Sequence, residues 1–334
     1  MPAWRWRAWP GLIPARCALA IGPELTAKKV WMRFGLCCLF TKEKIRFRTT
    51  TAKALLAMPR GSGLAKLSDI CLHNAKSLLA AVEAVHRLGF GAYRIPSQLF
   101  PRLTHPVVGY GLDDLQDAAA IRKLLASTRS FAHGHGIRLS FHPDQFVMLS
   151  SPNQPVTAAS IRELESQSIW ARDVGADVIN IHGGGAYGNK KQALERFRGV
   201  FRDLPDGVGC LLTLENDDVS YTVRDLLPLC EKLSIPLVYD VHHHRCNPDG
   251  LTVEEATVLA GETWRAHGRE QYCHVSSPRN GWGGDDPRPH AEFVDPADMP
   301  RFWLDRAMTV DVEAKAKEVA VLRLMGALAA EGRL

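Results

Sequence analysis

The chain has 334 residues, 46% hydrophobic and 23% charged, a composition typical of a globular protein with enough apolar side chains for a sizeable core. No apolar run approaches the roughly 18 to 20 residues that a bilayer span requires, which excludes an integral membrane protein. The formal net charge is +5, of which residues 1–31 carry +4, leaving 5 − 4 = +1 for the rest of the chain. Charge alone therefore neither indicates nor excludes a nucleic-acid partner, which would need a local basic patch.

The first 31 residues differ in composition from the rest of the chain. They are rich in Trp and Arg, contain a single acidic residue, and lack the apolar core of a secretory signal peptide. We interpret residues 1–31 as a disordered upstream extension or a mis-assigned start, with Met32 as the true beginning and residues 32–334 as a single folded domain. An organellar transit peptide is the alternative, because such a composition can mimic one.

The eight cysteines form no CxxC pair and lie mostly within apolar segments. This pattern is typical of reduced cysteine in a cytosolic protein, so we expect a cytoplasmic location. Cys37 and Cys38 are neighbours and would point to opposite faces of a strand, which argues against a thiolate zinc site there.

Short strand-like runs alternate with longer helical patterns along the chain. The eight strand candidates are MRFGLCCLF (32–40), FGAYRIP (90–96), RLSFHP (138–143), DVINIHGG (177–184), LLTLEND (211–217), LVYDVHH (237–243), QYCHVSS (271–277) and RAMTVDVE (306–313). The helix candidates span 74–88, 114–133, 157–174, 190–204, 221–233 and 252–267. Thr157 and Thr252 are suitable N-caps, and Gly175 and Gly268 suit helix ends. Eight such alternations predict a parallel α/β fold, a single closed (β/α)₈ TIM barrel.

Polar side chains collect near the carboxyl ends of these strands. In a TIM barrel these ends meet on one face, where side chains from different strands form the site. The residues are His142, His182, Glu215, Asp240, His243, His274 and Glu313, with His290 in the loop after the seventh strand. Each of them alone is more often a hydrogen-bonding or surface residue, and Glu215 or Asp240 could simply cap the helix that follows its strand.

The joint occurrence of these residues points to metal, because burying several carboxylates and imidazoles without a cation is strongly unfavourable. Mixed nitrogen and oxygen donors suit Zn, Mn or Fe, and the candidates outnumber the ligands of one tetrahedral ion. We therefore expect two or three divalent ions. Such a centre commonly serves phosphodiester hydrolysis, in which one ion activates water and another stabilises the leaving oxygen. Glu215 is the candidate for a bridging carboxylate.

Seven motifs, in order along the chain, resemble the UV damage endonuclease family. They are HPDQF (142–146), NIHGGGAYGNK (180–190), TLENDD (213–218), YDVHHHRCNP (239–248), HVSS (274–277), HAEFVD (290–295) and DVEAKAKE (311–318). The resemblance implies a xylose isomerase-like TIM barrel akin to that of endonuclease IV. It further implies divalent ions, manganese first with zinc, magnesium or iron as alternatives. The implied reaction is incision of double-stranded DNA immediately 5′ of UV photoproducts, leaving 3′-hydroxyl and 5′-phosphate ends.

The resemblance also implies roles for individual residues in a monomeric, nucleoid-associated enzyme. The implied metal ligands are His142, His182, Glu215, Asp240, His243, His274, His290 and Glu313. The residues implied in catalysis are Glu215, Asp240, Glu313 and Lys190. The family's lesion-probing Gln-Tyr pair falls on Gln145 and Phe146, and an aromatic wedge suits that role without its hydroxyl. The alternative for Phe146 is packing in the barrel rim.

Two departures from the family pattern concern the site. Tyr272 stands two residues before His274, where the family has a lysine thought to be carboxylated. Leu36 replaces an aromatic residue that belongs to the lesion-facing surface in the family. The other ligand positions are intact, so the resemblance predicts a metal centre that lacks one bridging ligand.

Three further residues are candidates for DNA contacts. Lys190, at a helix start after a glycine-rich turn, would pair with a phosphate. Arg94 and Trp282 are expected on loops of the open face, where a guanidinium would hold the backbone and an indole would stack on a base. Two other functions stay open: a sugar isomerase or epimerase on the same barrel, and a lesion-binding protein that has lost catalysis.

Overall fold

The structure of the protein is a computed structural model that describes residues 32–333, so the interpretation of residues 1–31 lies outside the described residues. The described residues form a closed barrel of eight parallel strands in chain order, which confirms the predicted fold. The strands are β1 (Arg33–Cys37), β2 (Ala92–Ile95), β3 (Arg138–Phe141), β4 (Val178–His182), β5 (Leu212–Glu215), β6 (Leu237–Asp240), β7 (Gln271–Val275) and β8 (Met308–Val312).

Nearly all strand residues are buried, because one face of each strand lies against the barrel interior and the other against the helices. The strands are correspondingly rich in aliphatic and aromatic residues. Parallel register pairs His182 of β4 with Glu215 of β5, and Asp240 of β6 with His274 of β7. These pairings place four of the predicted site residues at the carboxyl end of the barrel.

Helices surround the barrel and connect its strands. They are α1 (Ala52–Leu56), α2 (Arg60–Arg87), α3 (Ala118–Gly134), α4 (Gln154–Val174), α5 (Lys190–Arg202), α6 (Asp206–Gly209), α7 (Val223–Leu233), α8 (Val241–Cys246), α9 (Val253–Arg265) and α10 (Glu318–Ala330). The six predicted helices correspond to α2, α3, α4, α5, α7 and α9. The short helices α1, α6 and α8 and the final helix α10 are additional to the prediction.

Helix boundaries follow the local capping signals. Thr252 and Glu255 form a capping box in which the Glu255 carboxylate accepts the Thr252 N–H at 2.8 Å, as the predicted N-cap requires. Gly175 follows α4 with φ of 77°, a left-handed conformation that favours glycine. The predicted start of α4 at Thr157 is wrong, because the helix begins at Gln154, where a proline in the first turn suits a helix start.

An ion-pair network closes the amino-terminal end of the barrel. Arg138 Nη2 lies 2.9 Å from Asp177 Oδ2, and Arg33 Nε lies 3.1 Å from Glu270 Oε1. The Arg138 guanidinium also lies 5.2 Å from the centre of the Trp264 ring. These contacts stabilise the fold at the end opposite to the predicted site, as is usual for this architecture.

Within the described residues, no helix is both long enough and apolar enough to cross a membrane. The free thiols are those of Cys37, Cys38, Cys71, Cys230, Cys246 and Cys273. Strand β1 ends at Cys37 and Cys38 follows with φ of 66°, so the two thiols do not occupy consecutive strand positions.

Candidate metal centre

Glu215, the last residue of β5, lies at the middle of the carboxyl end of the barrel and is almost fully buried. Its Oε1 lies 2.9 Å from His274 Nδ1 and 3.4 Å from His243 Nδ1. Its Oε2 lies 3.1 Å from His142 Nε2 and 3.9 Å from His182 Nε2. The two oxygens therefore face different pairs of imidazoles, and this is the arrangement that a bridging carboxylate needs.

Asp240 ends β6 and also starts helix α8. Its Oδ1 accepts the backbone N–H of His243 at 2.8 Å, and its Oδ2 lies 3.6 Å from His243 Nδ1. The predicted strand over 237–243 is wrong beyond Asp240, because this N-cap starts a helical turn there. The turn brings His243 back toward Glu215. Asp240 therefore uses Oδ1 to cap the helix, and its Oδ2 remains directed at the centre.

Glu313 and His290 complete the cluster from two different segments. Glu313 follows β8, and its Oε1 lies 3.4 Å from His274 Nδ1 while its Oε2 lies 3.5 Å from His290 Nδ1. An isolated antiparallel bridge between Pro278 and His290 holds the loop after β7 in place. The structure thus brings together all eight residues that the sequence singled out as ligand candidates.

The donor atoms form three overlapping trios, and within each trio they lie within 4.8 Å of one another. The trios are His142, His182 and Glu215; Glu215, Asp240 and His243; and Asp240, His274 and Glu313. Two buried donor atoms, Asp240 Oδ2 and His182 Nδ1, have no hydrogen-bond partner. Buried polar atoms are seldom left unpaired, and mixed imidazole and carboxylate donors suit Mn, Zn or Fe. The residues present therefore fit a divalent metal centre.

The pKa values of the cluster are shifted in both directions, so metal binding is coupled to protonation. Burial raises the pKa of Glu215, but the surrounding imidazoles, His274 first, outweigh burial and hold its pKa well below the usual value. Burial lowers the pKa of His182, and the nearby Glu215 carboxylate only partly opposes this. Burial also opposes protonation of His274, yet Glu215 raises its pKa to about 9. Metal binding at His274 would therefore have to displace a proton.

Arg94 lies within strand β2, so the expectation that it sits on an exposed loop is wrong. Its Nε donates to Asp311 Oδ2 at 3.0 Å and its Nη2 donates to Glu313 Oε1, and only 10% of the side chain is exposed. Burial raises the pKa of Glu313, but Arg94 and the neighbouring imidazoles hold it well below the usual value. The guanidinium points toward the barrel interior. It binds the carboxylate of Asp311 in β8 and that of Glu313, which follows the strand.

Both departures from the family pattern are buried side chains. The Tyr272 hydroxyl donates to Asp311 Oδ1 at 2.9 Å and lies 2.9 Å from Ser140 Oγ. It therefore supports the floor of the metal centre through Asp311. Leu36 is fully buried, so its side chain is part of the core and not of the exposed face.

The predicted lesion probe lies on the loop between β3 and α4. Gln145 is exposed and Phe146 is 72% exposed, an unusual state for a phenylalanine. Val147, the next residue, is buried and anchors the loop. The arrangement argues against the alternative in which Phe146 is packed in the barrel rim, and it leaves the ring available to a partner.

Lys190 and Trp282 both lie on the carboxyl face of the barrel. Lys190 is the first residue of α5, and its Nζ lies 2.8 Å from Asp225 Oδ2. Trp282 lies on the loop after β7, is 40% exposed, and its Nε1 donates to Asp298 Oδ1 at 2.8 Å. Both side chains are accessible and each makes a polar contact within the protein, and their contact with DNA stays a prediction.

Two residues of the centre were not predicted from the sequence. Asn180 Nδ2 donates to Glu215 Oε2 at 2.5 Å, and Asp311 pairs with Arg94. Each precedes a predicted ligand by two residues, Asn180 before His182 and Asp311 before Glu313. Alternate residues of a strand share a face, so this spacing was the available signal.

Similarity to known proteins shows which family this chain belongs to. A model of the family described as UV-endonuclease UvdE matches residues 32–333. The chain belongs to the UvdE family. A UV DNA damage endonuclease of Bacillus velezensis is 32% identical over 293 residues, which cover 85% of this chain and 89% of that protein. A UV-damage endonuclease of Schizosaccharomyces pombe is 34% identical over 311 residues, 87% of this chain and 50% of the yeast protein.

Solved structures agree with the UvdE assignment. The crystal structure of SacUVDE superposes with a TM-score of 0.79 at 25% identity, covering 91% of this chain and all of that one. Endonuclease IV from Thermus thermophilus superposes with a TM-score of 0.57 at 16% identity, covering 90% of this chain and 99% of that one, a likeness of fold alone. The UvdE chain thus has the endonuclease IV-like barrel that its motifs predicted.

Proposed function

We propose that this chain, a DNA repair endonuclease of the UvdE family, nicks double-stranded DNA immediately 5′ of UV photoproducts and leaves 3′-hydroxyl and 5′-phosphate ends. The position of Glu215 carries the proposal, because its two oxygens face two separate groups of imidazoles at the open end of the barrel. The names of the curated relatives support the lesion class. The enzyme would act as a monomer at the chromosome in the cytoplasm.

The proposal includes two or three divalent ions, with manganese first and zinc, magnesium or iron as alternatives. His142 and His182 would hold one ion with Glu215, and Asp240 with His243 would hold a second against the same carboxylate. Such ions supply activation of water and stabilisation of the leaving oxygen in phosphodiester hydrolysis. Lys190 would exchange its contact with Asp225 for a DNA phosphate.

The face around the centre suits a polymer with unstacked bases. Nine large hydrophobic side chains of the described residues are exposed, and six of them lie on segments that follow the carboxyl ends of strands. The six are Leu39, Val107, Phe146, Tyr187, Val219 and Trp282. The aromatic rings among them, those of Phe146, Tyr187 and Trp282, can stack on unstacked bases.

The same rim argues against a sugar isomerase or epimerase, which would need a closed pocket over the metal ligands. A cavity of about 510 Å³ lies between the segments after β2 and β3, beside Phe146. None of the eight ligand candidates lines it. The cavity adjoins the predicted lesion probe and does not enclose the centre.

The test is incision of an end-labelled duplex, with and without a UV photoproduct, by the full chain in manganese, magnesium, zinc or a chelator. We expect one cut 5′ of the lesion that requires both the lesion and a cation. Glu215→Gln should remove incision and leave the unfolding transition in place. Binding of the damaged duplex without a nick in any metal would instead identify a lesion-binding protein, and activity on a small sugar would identify an isomerase.

A further inference from the structure

The turn that carries Tyr187 has a backbone conformation that tyrosine disfavours. Tyr187 and Gly188 both have positive φ, 48° and 78°, and Asn189 N–H donates to the Ala186 carbonyl at 2.9 Å. Two positive φ angles at the central positions are typical of a type I′ turn, which favours Asn, Asp or Gly there. Gly188 fits this preference. Tyr187 does not, because a bulky L residue with positive φ is strained.

The strained residue nevertheless presents its ring to the exterior. Tyr187 is 43% exposed on the segment between β4 and α5, on the same face of the barrel as the metal centre. A turn that needed only its backbone conformation would be satisfied by Asn. An exposed aromatic ring held at a conformational cost suggests that the ring itself has a role.

Two contacts hold the Tyr187 side chain, and a third anchors one of its partners. The Tyr187 hydroxyl donates to Met148 Sδ at 3.3 Å, and the Arg196 guanidinium lies 5.6 Å from the ring centre. Arg196 is itself anchored, since its Nε donates to the Ser150 carbonyl at 2.8 Å. Met148 and Ser150 belong to the segment between β3 and α4 that carries Phe146. The turn is therefore joined to the segment that carries the predicted lesion probe.

We propose that Tyr187 is a second base-contacting ring, which stacks on an unstacked base beside the lesion that Phe146 probes. Base stacking on an aromatic side chain tolerates any base, because every base has a π-face. The link through Met148 fixes the Tyr187 ring relative to the segment of Phe146. The inference rests on the proposed function, since it concerns how the same enzyme discriminates damaged from intact duplex.

The decisive variant is Tyr187→Asn, because Asn suits the turn and lacks the ring. It should not lower the Tm, yet it should weaken binding of a duplex with one cyclobutane pyrimidine dimer about tenfold, with less than a twofold effect on the intact duplex. Tyr187→Phe, which keeps the ring, should bind both within twofold of the parent. Binding is measured by fluorescence anisotropy in the full chain carrying Glu215→Gln, so that the duplex stays uncut.

Ile169→Ala is the matched control, since Ile169 is 47% exposed on helix α4 and does not belong to the six side chains of the proposed binding face. It should leave both affinities unchanged. The inference is overturned if Tyr187→Asn binds the damaged duplex as the parent does, if it weakens both duplexes equally, or if Tyr187→Phe loses as much as Tyr187→Asn. A parent chain that does not distinguish the two duplexes would instead contradict the proposed function.

Discussion

Asp240 Oδ1 accepts the backbone N–H of His243 at 2.8 Å, so one carboxylate both starts helix α8 and offers its second oxygen to the metal centre. The two roles can be separated. Asp240→Asn keeps an oxygen for the cap but removes the charge, so manganese affinity and incision should be lost while the helix is retained. Asp240→Ala should lose the cap as well and unfold about 1 kcal/mol more easily than the Asn variant.

Isothermal titration with manganese and urea unfolding in a chelator distinguish these outcomes. If the Asn and Ala variants had equal free energies of unfolding, the result would contradict the capping role of Asp240. If Asp240→Asn bound manganese with normal affinity, the result would contradict the role of Asp240 as a metal ligand.

We expect Arg94 to stabilise the fold and not to contact DNA. Arg94→Met leaves Asp311 and Glu313 buried without their guanidinium partner, so the metal-free protein should lose about 3 kcal/mol of its free energy of unfolding. Arg122→Met is the control, because Arg122 forms an exposed ion pair with Asp113 and its loss should cost under about 1 kcal/mol. Urea unfolding measures both. A stable Arg94→Met variant with weakened DNA binding would support the loop interpretation instead.

Phe146 should govern the choice between damaged and intact DNA. Because the ring is 72% exposed, Phe146→Ala should leave the Tm nearly unchanged and lower the ratio of incision rates on damaged and intact duplex about tenfold. Phe146→Tyr should retain the ratio, since it keeps the ring. Ile169→Ala, at a site on helix α4 that is 47% exposed and outside the proposed binding face, serves as the control. An unchanged ratio in Phe146→Ala, measured in single-turnover incision, would argue against the probe.

How much of the structure could be predicted from the sequence depends on how far apart the interacting residues are along the chain. The strands are local apolar runs, and barrel closure brings their polar ends together, so the cluster around Glu215 follows from chain order alone. The predicted strand 90–96 already contained Arg94, but its ion pair with Asp311 could not be predicted, because the two residues are 217 positions apart. Helix α8 was missed because six residues are too few to show a helical period, and only the cap by Asp240 reveals it.

Glu318 makes a pH-dependent contribution to stability at a site separate from the metal centre. Its carboxylate accepts backbone N–H groups of Thr41, Lys42 and Glu43, at 2.9 Å for Thr41. Burial raises the pKa of Glu318, but these hydrogen bonds outweigh burial and lower it. A lowered pKa means that the contribution is present above about 4.5 and is lost as the pH falls through the folded-state value.

The expected result is that Glu318→Gln costs about 2 kcal/mol at pH 7 and progressively less as the pH falls toward 3. Urea unfolding at several pH values measures the difference. Glu83→Gln, at an exposed position of α2, should change stability by under about 0.5 kcal/mol throughout. A Glu318→Gln cost that stays constant with pH would show that the carboxylate charge does not contribute.

Anomalous diffraction from crystals of the full chain grown in manganese tests the central claim most directly. The account predicts two or three manganese peaks at the carboxyl end of the barrel, with Glu215 within about 2.3 Å of two of them and Asp240 bound through its free oxygen. Saturating manganese with no peak in bonding distance of Glu215, or with peaks only at exposed surface carboxylates, would contradict it.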